Sequence, residues 1–329
     1  MERVPLTSRE QIEEKLREIA SQEQVYCIAL FDILGFSNFV QQNGNQVVLE
    51  QYNKLLVIVE KQKSTLDGNI DYVGSVVPVP ISEHWKNSAL IANANGYVNV
   101  CHFSDTFLIY VNYQLSKPSY WLADTIYEPH PLLLGEKGAI TYPVIYEQHH
   151  LYLSFLQTCM EFFSQAIIDG VPLRGCIPSG LAIMDLYKSI YFGPPLVEAA
   201  RGESAQNAIG VAFGKSFNNS HPVYNKYFIP YLNHIKDDPK SEFLCPMMLD
   251  WARYWREAPE SKEYNLEECI NKTNGNPSFS SYYDNAIKFY KFSEIHKEWF
   301  NEVNRDEIQD IIDYYDCIKN GIRNKYRRL

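Results

Sequence analysis

Apolar and polar residues follow two different periods along the chain, and each period predicts a type of element. Residues 25–32 are almost wholly apolar and predict a buried strand. Residues 45–66 carry apolar side chains at helical spacing, and residues 152–168 predict a second helix. Between these helices, residues 97–105 and 106–113 predict two strands that meet in a hairpin.

The pattern continues with shorter elements. Residues 171–185 predict a strand that Pro178 interrupts, which indicates a bulge or an edge strand. Residues 189–195 predict a strand and a Gly-Pro-Pro turn, a helix follows from about Leu196, and a long helix is predicted over 281–325. Because strands and helices alternate, we predict an α+β protein with a mixed sheet and helices on one face.

Punctuation by glycine, proline and asparagine divides the chain into parts. We predict an N-terminal helix within residues 1–24 and a domain over residues 25–219. Insertions in this domain are expected at about 68–96, as a loop or small edge element, and at about 114–147. Residues 220–329 are expected to form a mostly helical C-terminal extension.

Composition limits the class of protein. The chain has 329 residues, of which 46% are hydrophobic, and this is typical of a globular protein. Its net charge of −10 argues against binding to nucleic acid or to an anionic membrane, so a phosphate site has to be built locally. The seven cysteines include no Cys-x-x-Cys pair, which favours free thiols in a reducing cytoplasm. No signal peptide or membrane span is predicted, so we expect a cytoplasmic protein.

Two carboxylates stand where predicted strands meet turns. Asp32 ends the first strand, and Asp105 lies in the hairpin. If these strands are neighbours, both carboxylates lie at one edge, and a shared divalent cation relieves their repulsion. Gly35 and Ser37 allow a tight turn into a helix that starts at Phe36, whose free amides can bind an anion. A metal beside an anion site suits a nucleoside triphosphate, although aspartates at strand ends also serve as turn or cap residues.

Several motifs carry a family resemblance. The sequence FDILGFS, residues 31–37, resembles the first metal-binding strand of class III nucleotidyl cyclases, and FSDTFLIYV, residues 103–111, resembles the hairpin with their second metal aspartate. With PLRGCIPSG and YFGPPLVEAAR, the set is most similar to the pyrimidine cyclases of bacterial Pycsar anti-phage systems. The motifs cover about residues 25–214, and the resemblance implies a class III cyclase-like sheet with a βαββαβ core.

The resemblance also implies roles for individual residues. Asp32 and Asp105 correspond to ligands of two Mg²⁺ or Mn²⁺ ions, with the carbonyl of Ile33 as a further ligand. Residues 33–37 correspond to a nucleotide-binding stretch that includes Ile33, Gly35, Phe36 and Ser37. Arg201 corresponds to the arginine that offsets charge on the α-phosphate as the ribose 3′-oxygen attacks. The alternative for Arg201 is a solvent-facing arginine on a helix.

The chain departs from the purine cyclases at the positions that read the base. Val197 replaces a ribose-orienting asparagine, Ile190 replaces an adenine-reading aspartate, and Cys101 replaces a base-reading lysine. We therefore expect a smaller base to be read by other groups. Tyr52 is a candidate to donate its hydroxyl to a pyrimidine carbonyl, unless it is an ordinary core or surface tyrosine. Arg174 is expected to begin a strand, and its Arg-Gly pair belongs to the family pattern.

The function that follows from the resemblance is a cyclase for pyrimidine nucleotides. It converts UTP, which we favour, or CTP into a 3′,5′-cyclic monophosphate and pyrophosphate, as a second-messenger synthase in antiviral defence. The resemblance implies a head-to-tail homodimer with composite active sites. Two alternatives stay open at this point: an atypical purine nucleotide cyclase, and a catalytically silent cyclase-like module for dimerisation or sensing.

Overall fold

The chain is mixed α/β, with an open mixed sheet and helices, which is compatible with the predicted α+β class. A computed structural model describes residues 20–76, 98–112, 145–217, 227–258, 263–273 and 277–302, together with positions 14, 17 and 18. The strands in this part are β1 Gln24–Ile33, β2 Asn99–Phe103, β3 Thr106–Asn112, β4 Leu173–Ile177, β5 Ser179–Asp185, β6 Ile190–Phe192, β7 Gly210–Gly214, β8 Phe228–Pro230 and β9 Leu244–Leu249. The helices are α1 Phe36–Val76, α2 Ile145–Ile168, α3 Pro194–Ser204, α4 Arg253–Glu257, α5 Leu266–Thr273 and α6 Ser280–Glu302.

The described strands form one sheet in the order β2-β3-β1-β4-β7-β9-β8, and the β5–β6 pair branches from β1. The β4–β7 pair is parallel and every other pair is antiparallel. Along one side β1 pairs with β3, and along the other it pairs first with β5 and then with β4. The C-terminal end of β1 therefore lies between the β2–β3 turn and the start of β4.

Alternating side chains of β1 point to two different cores. Ala29, Phe31 and Ile33 pack in the main core, which also contains buried residues of α1 and α2 such as Leu55 and Phe162. The residues between them reach the opposite face of the sheet. That face is covered by the β5–β6 hairpin and by α3, which contacts β1, β4, β5 and β7. The prediction that helices cover one face is wrong, because this second face is also apolar and has to be buried.

Two glycine positions show how closely elements pack near the end of β1. A Cβ atom on Gly202 of α3 would lie 2.5 Å from Sγ of Cys176 on β4, so only glycine allows this approach. A Cβ atom on Gly175 would lie 2.7 Å from the Phe31 ring, which fills the space above β4. The first contact holds α3 tightly against β4, the strand that carries Arg174, and the second packs β1 closely against β4 on the main-core face.

Three sequence-based boundaries need correction. The first helix continues to Val76, so the start of the predicted 68–96 loop is helical. Pro178 marks neither a bulge nor an edge: it separates β4 from β5, its carbonyl accepts a hydrogen bond from the Ile28 amide, and β4 lies inside the sheet. The region after residue 220 is not mostly helical at its start, because β8 and β9 extend the sheet. These two strands read as short apolar runs without alternation, since the sheet here is buried.

The remaining boundaries stay predictions. Most of residues 1–24, all of residues 77–97 and 113–144, and the last part of the predicted 281–325 helix lie outside the described residues. The division into a 25–219 domain and a 220–329 extension also stays a prediction. In the described part of the chain, no helix has both the length and the apolar character needed to cross a membrane.

Candidate active site

The two predicted acids converge where the β2–β3 hairpin meets the end of β1. The turn between β2 and β3 consists of Ser104 and Asp105, and Ser104 has a positive φ of 53°. The amide of Ile33 donates a hydrogen bond of 3.1 Å to the carbonyl oxygen of Asp105. This bond ties the hairpin turn to the residue that follows Asp32. The structure therefore brings together the end of β1 and the β2–β3 turn, the two places that carry the predicted metal ligands Asp32 and Asp105.

Asp32 is partly buried, and its surroundings disfavour its charge. Burial and, to a smaller extent, the Asp105 carboxylate raise the pKa of Asp32 to about 6. The Arg174 guanidinium and a hydrogen bond from the Thr106 side chain act in the opposite direction but do not cancel these effects. Negative charge at this point of the sheet is therefore under-compensated by the described residues, which is the condition that a bound cation relieves.

Arg174 is the nearest cation to this acid in the register of the sheet. It lies opposite Asp32 in the β1–β4 pair, so both side chains leave the same face. It forms a buried ion pair with Glu203 of α3, and the two side chains are only 10% and 8% exposed. The Nε atom of Arg174 is buried and makes no hydrogen bond with any described residue. One donor of this guanidinium is thus left for a ligand.

Glu203 adds a third acid to the site. Its pKa is raised to about 7, chiefly by burial; the Arg174 guanidinium lowers the pKa, and the Asp32 carboxylate raises it. Lys236 and Lys240 lower it as well, and the Nζ atom of Lys236 donates a 2.7 Å hydrogen bond to the carbonyl of Ser204. The site therefore contains three carboxylates and a group of cations within electrostatic reach of each other.

The predicted anion-binding turn has an aromatic neighbour. Gly35 has a φ of +72°, as the predicted tight turn requires, and α1 begins at Phe36 as expected. The amide of Phe39 donates to the Gly35 carbonyl. A Cβ atom on Gly35 would lie 2.8 Å from the Phe279 ring, so the glycine also makes room for this ring. Nucleotide binding by Ile33, Gly35, Phe36 and Ser37 stays a prediction.

Tyr52 lies near the acids but its hydroxyl has a partner. It donates a 2.7 Å hydrogen bond to the carbonyl of Ser104 in the hairpin turn, and its ring packs against Phe107. Burial and the two aspartates raise the pKa of Tyr52 to about 12. In this structure Tyr52 supports the turn that presents Asp105, and its predicted contact with a base stays a prediction.

Arg201 lies on α3, two residues before Glu203, and points elsewhere. It is exposed, and its guanidinium carbon lies 4.8 Å from the centroid of the Phe243 ring. The structure does not place it in contact with Asp32 or Asp105 of its own chain in any described interaction. A catalytic role for Arg201 therefore depends on a second chain.

The β5–β6 hairpin and the start of α3 present an exposed apolar surface. Its members are Leu181, Leu186, Tyr187, Ile190, Phe192 and Val197, each between 44% and 55% exposed. Two of these, Ile190 and Val197, are positions that the predicted resemblance aligns with polar residues of purine cyclases. The third, Cys101, lies on β2 beside Tyr191, and burial raises the pKa of its thiol to about 11.

Sequence reasoning missed three residues at this site: Glu203, Lys236 and Tyr282, whose ring centroid lies 5.4 Å from the guanidinium carbon of Arg174. Arg174 was recognised only as part of a motif. No local pattern marks the other three. A charged residue on a helix, such as Glu203, normally faces solvent, Lys236 lies outside the helices, and Tyr282 is one of 24 tyrosines in the chain. A signal was present in the tight packing implied by the small residues around Gly202, which predicts that α3 approaches the sheet closely.

The described residues offer few side-chain ligands for a divalent cation. No group of three or more His, Cys, Asp or Glu side chains at metal-binding distance occurs among them. The carboxylates of Asp32 and Asp105, with the main-chain carbonyl of Ile33, nevertheless offer oxygen donors of the kind that Mg²⁺ and Mn²⁺ accept. Comparison of the chain with protein-family models, with curated proteins and with solved structures found no match.

Proposed function

We propose that this protein is a pyrimidine nucleotide cyclase that converts UTP, or CTP, into the 3′,5′-cyclic monophosphate and pyrophosphate. The observation that supports it most is the pairing of Asp32 with Asp105 at the end of β1, beside Arg174. The order β1, α1, β2, β3, α2, β4 agrees with the βαββαβ core of the class III cyclases that the motifs resemble. We expect the enzyme to act in the cytoplasm as a second-messenger synthase in antiviral defence.

The acids would hold the metal. Asp32 and Asp105, with the carbonyl of Ile33, are the residues that would bind two Mg²⁺ or Mn²⁺ ions. When bound, such ions lower the pKa of the ribose 3′-hydroxyl and offset the charge of the phosphates. Thr106 orients the Asp32 carboxylate through its hydrogen bond. Arg174 provides a positive charge on the same face of the sheet, where a polyphosphate can replace part of its pairing with Glu203.

The base would be read without the polar groups of purine cyclases. Ile190, Val197 and Cys101 offer no charged or amide group to a purine. A site that lacks these groups leaves the polar edge of adenine unpaired, and an unpaired polar group lowers transition-state affinity. This favours a pyrimidine, whose smaller ring leaves fewer polar atoms to satisfy.

A homodimer would complete the site. The β5–β6 face and the start of α3 expose apolar side chains on one continuous structural unit, and such a surface is typical of a protein–protein interface. Two-fold pairing through this unit would bring α3 of each chain to its partner. Arg201, which makes no described contact with the acids of its own chain, could then act on those of the other chain.

The catalytically silent module is the second candidate, and a specific observation favours it. The Phe279 ring occupies the space beside Gly35, at the turn where phosphates would bind. A silent module would use the apolar β5–β6 face to dimerise and would turn over no nucleotide.

Turnover of the four nucleoside triphosphates tests the proposal. Purified protein is incubated with Mn²⁺ and ATP, GTP, CTP or UTP, and cyclic nucleotide and pyrophosphate are quantified. We expect UTP or CTP to be converted at least about 10-fold faster than ATP or GTP. The Asp32→Ala and Asp105→Ala double variant is the control for contaminating activity. Dominant cyclic AMP would indicate an atypical purine cyclase, and no conversion of any triphosphate would indicate the silent module.

A further inference from the structure

The beginning of α6 and the 3-10 turn before it, Pro277–Phe279, lie along the end of the sheet where β1 ends and the acids are found. Three contacts establish this placement. The Phe279 ring packs on Gly35, the amide of Ile209 donates a 3.3 Å hydrogen bond to the carbonyl of Tyr282, and Asn285 donates from its side chain to the carbonyl of Asn207 at 2.8 Å. Gly35 follows β1, whereas Asn207 and Ile209 precede β7. The segment Pro277–Asn285 therefore runs along the end of the sheet at which β1 ends and β7 begins.

Tyr282 presents its ring to the cations of the site. The guanidinium carbon of Arg174 lies 5.4 Å from the ring centroid, and the Nζ atom of Lys236 lies 5.1 Å from it. A cation over a tyrosine ring is held by the negative face of the π-system, and the attraction is larger when the cation is removed from water. Arg174 is 9% exposed, so this condition is met.

Arg174 is thus restrained from two sides. Glu203 of α3 pairs with one terminal nitrogen of the guanidinium, and the ring of Tyr282 of α6 packs against the guanidinium. The buried Nε atom still makes no hydrogen bond among the described residues, and Asp32 lies opposite in the sheet. An arginine that is buried, restrained and incompletely hydrogen-bonded is preorganised to bind an anion. The conformational entropy of its side chain is already lost in the folded protein, so anion binding does not have to remove it.

We infer that Tyr282 is a positioning residue that holds the Arg174 guanidinium in place for a polyphosphate, and that the segment Pro277–Asn285 is a wall of the candidate site. This inference rests on the proposed function for the identity of the anion as the triphosphate of a nucleotide. It gives the C-terminal region a role at the site, which no motif in that region indicates. The ring acts through Arg174 and does not itself touch the reacting atoms.

The test measures anion binding separately from catalysis. Magnesium tripolyphosphate is titrated by calorimetry into the full-length protein and into the variants Tyr282→Phe, Tyr282→Leu and Arg174→Met. Tyr282→Phe keeps the aromatic face and Tyr282→Leu removes it, while every variant keeps the main-chain hydrogen bond to Ile209. Tyr290→Leu on the same helix is the matched control, and thermal unfolding of each variant verifies that it is folded.

We expect Tyr282→Phe to bind within about 2-fold of the wild type and Tyr282→Leu to bind roughly 5- to 30-fold more weakly. Arg174→Met should lose measurable binding, and Tyr290→Leu should not change it. In turnover assays, Tyr282→Leu should raise KM by a similar factor with little change in kcat, since phosphate pairing is present in both the ground and the transition state.

Three results would overturn the inference: no binding of tripolyphosphate by the wild type, unchanged binding by a folded Tyr282→Leu, or equal losses in Tyr282→Phe and Tyr282→Leu. Failure of the proposed function has a different signature. In that case the wild type binds tripolyphosphate with the expected order of variants but cyclises none of the four nucleoside triphosphates.

Discussion

Two arginine–carboxylate pairs in the described part of the chain, each with a buried carboxylate, differ in how completely they are hydrogen-bonded. Arg256 pairs with Asp250, Ser293 donates to the same carboxylate at 2.7 Å, and Arg256 also donates to Ser293 at 2.7 Å and to Glu294 at 3.1 Å. This network closes on itself. Buried polar groups that satisfy one another rigidify a structure and leave little capacity for a ligand.

The Arg174–Glu203 pair is open by comparison. The Nε atom of Arg174 has no hydrogen-bond partner among the described residues, and a second acid, Asp32, faces the guanidinium. Burial raises the pKa of Glu203 to about 7 and that of Asp32 to about 6, so this cluster resists its full negative charge. From this difference we expect the closed pair to contribute to stability and propose that the open pair contributes to binding.

The largest expected effect concerns the acids that distinguish the open pair. Asp32→Ala or Asp105→Ala should lower turnover by about 10³-fold or more, because either change removes a metal ligand. Asp32→Ala should keep or raise the melting temperature in metal-free buffer, since it relieves repulsion. Asp250→Ala is the contrast and should lower the melting temperature. Near-normal cyclisation by Asp32→Ala or by Asp105→Ala would contradict the assignment of these two residues as metal ligands.

The next prediction compares the two arginines by stability. Arg256→Met should lower the free energy of unfolding by about 3–5 kcal/mol, because it leaves a buried carboxylate without its partner. Arg174→Met should cost less, because Glu203, with a pKa of about 7, can take up a proton when its partner is lost. Urea unfolding at pH 7 measures both values. Equal losses would mean that the two pairs are energetically alike and that the distinction drawn from their hydrogen bonds is unfounded.

A third prediction asks whether another cation reaches the open cluster from a second chain. Arg201→Ala should lower turnover by about 10²- to 10³-fold, which is the effect of deleting one transition-state donor. Mixing it with Asp32→Ala should restore about a quarter of wild-type activity, since about half of randomly paired dimers are mixed and each has one intact site. Activity of the mixture and chain exchange are measured together. Exchange without rescue would show that Arg201 does not act across a dimer.

The smallest expected effect is on the pH dependence of stability. The pKa of Glu203 is raised in the folded chain, so the folded state binds this proton more tightly than the unfolded state. The free energy of unfolding should therefore fall as the pH rises from about 4.5 to about 7 and then level off. Glu203→Gln should make this fall in the free energy of unfolding smaller, by up to about 3 kcal/mol over the interval. Chemical unfolding in chelator-containing buffers measures it, and an identical slope in the variant would contradict the assignment.

Much of the fold around β1 could be predicted from the sequence. The strand, the β2–β3 hairpin and the helix predicted over residues 152–168 all have strong periodic signals, and the structure contains each of them. That helix begins earlier than predicted, at Ile145, so the end of the predicted 114–147 insertion is helical. The strands β8 and β9 were missed because short apolar runs with prolines have no clear period. The prediction of helices on one face failed because the chain does not show locally which side of a sheet a helix covers.

The candidate site was predictable in part for the same reason. Asp32 and Asp105 stand at the ends of recognisable strands, so their convergence followed once those strands were neighbours. Arg174 was noticed only within a motif, and its partners Glu203 and Tyr282 were not noticed. Both partners come from helices whose packing against the sheet depends on contacts between segments far apart in the chain.

The sequence by itself determined the strand that ends in Asp32, the hairpin that carries Asp105, and the absence of polar groups at Ile190 and Val197. These features depend on residue type and on spacing over a few neighbours, which is what sequence periodicity records. Only the tertiary structure decided that α3 and α6 meet at Arg174, because their positions are set by close packing at Gly202 and Gly35. Burial, and the pKa shifts that follow from it, arise only when those distant segments exclude water from the same place.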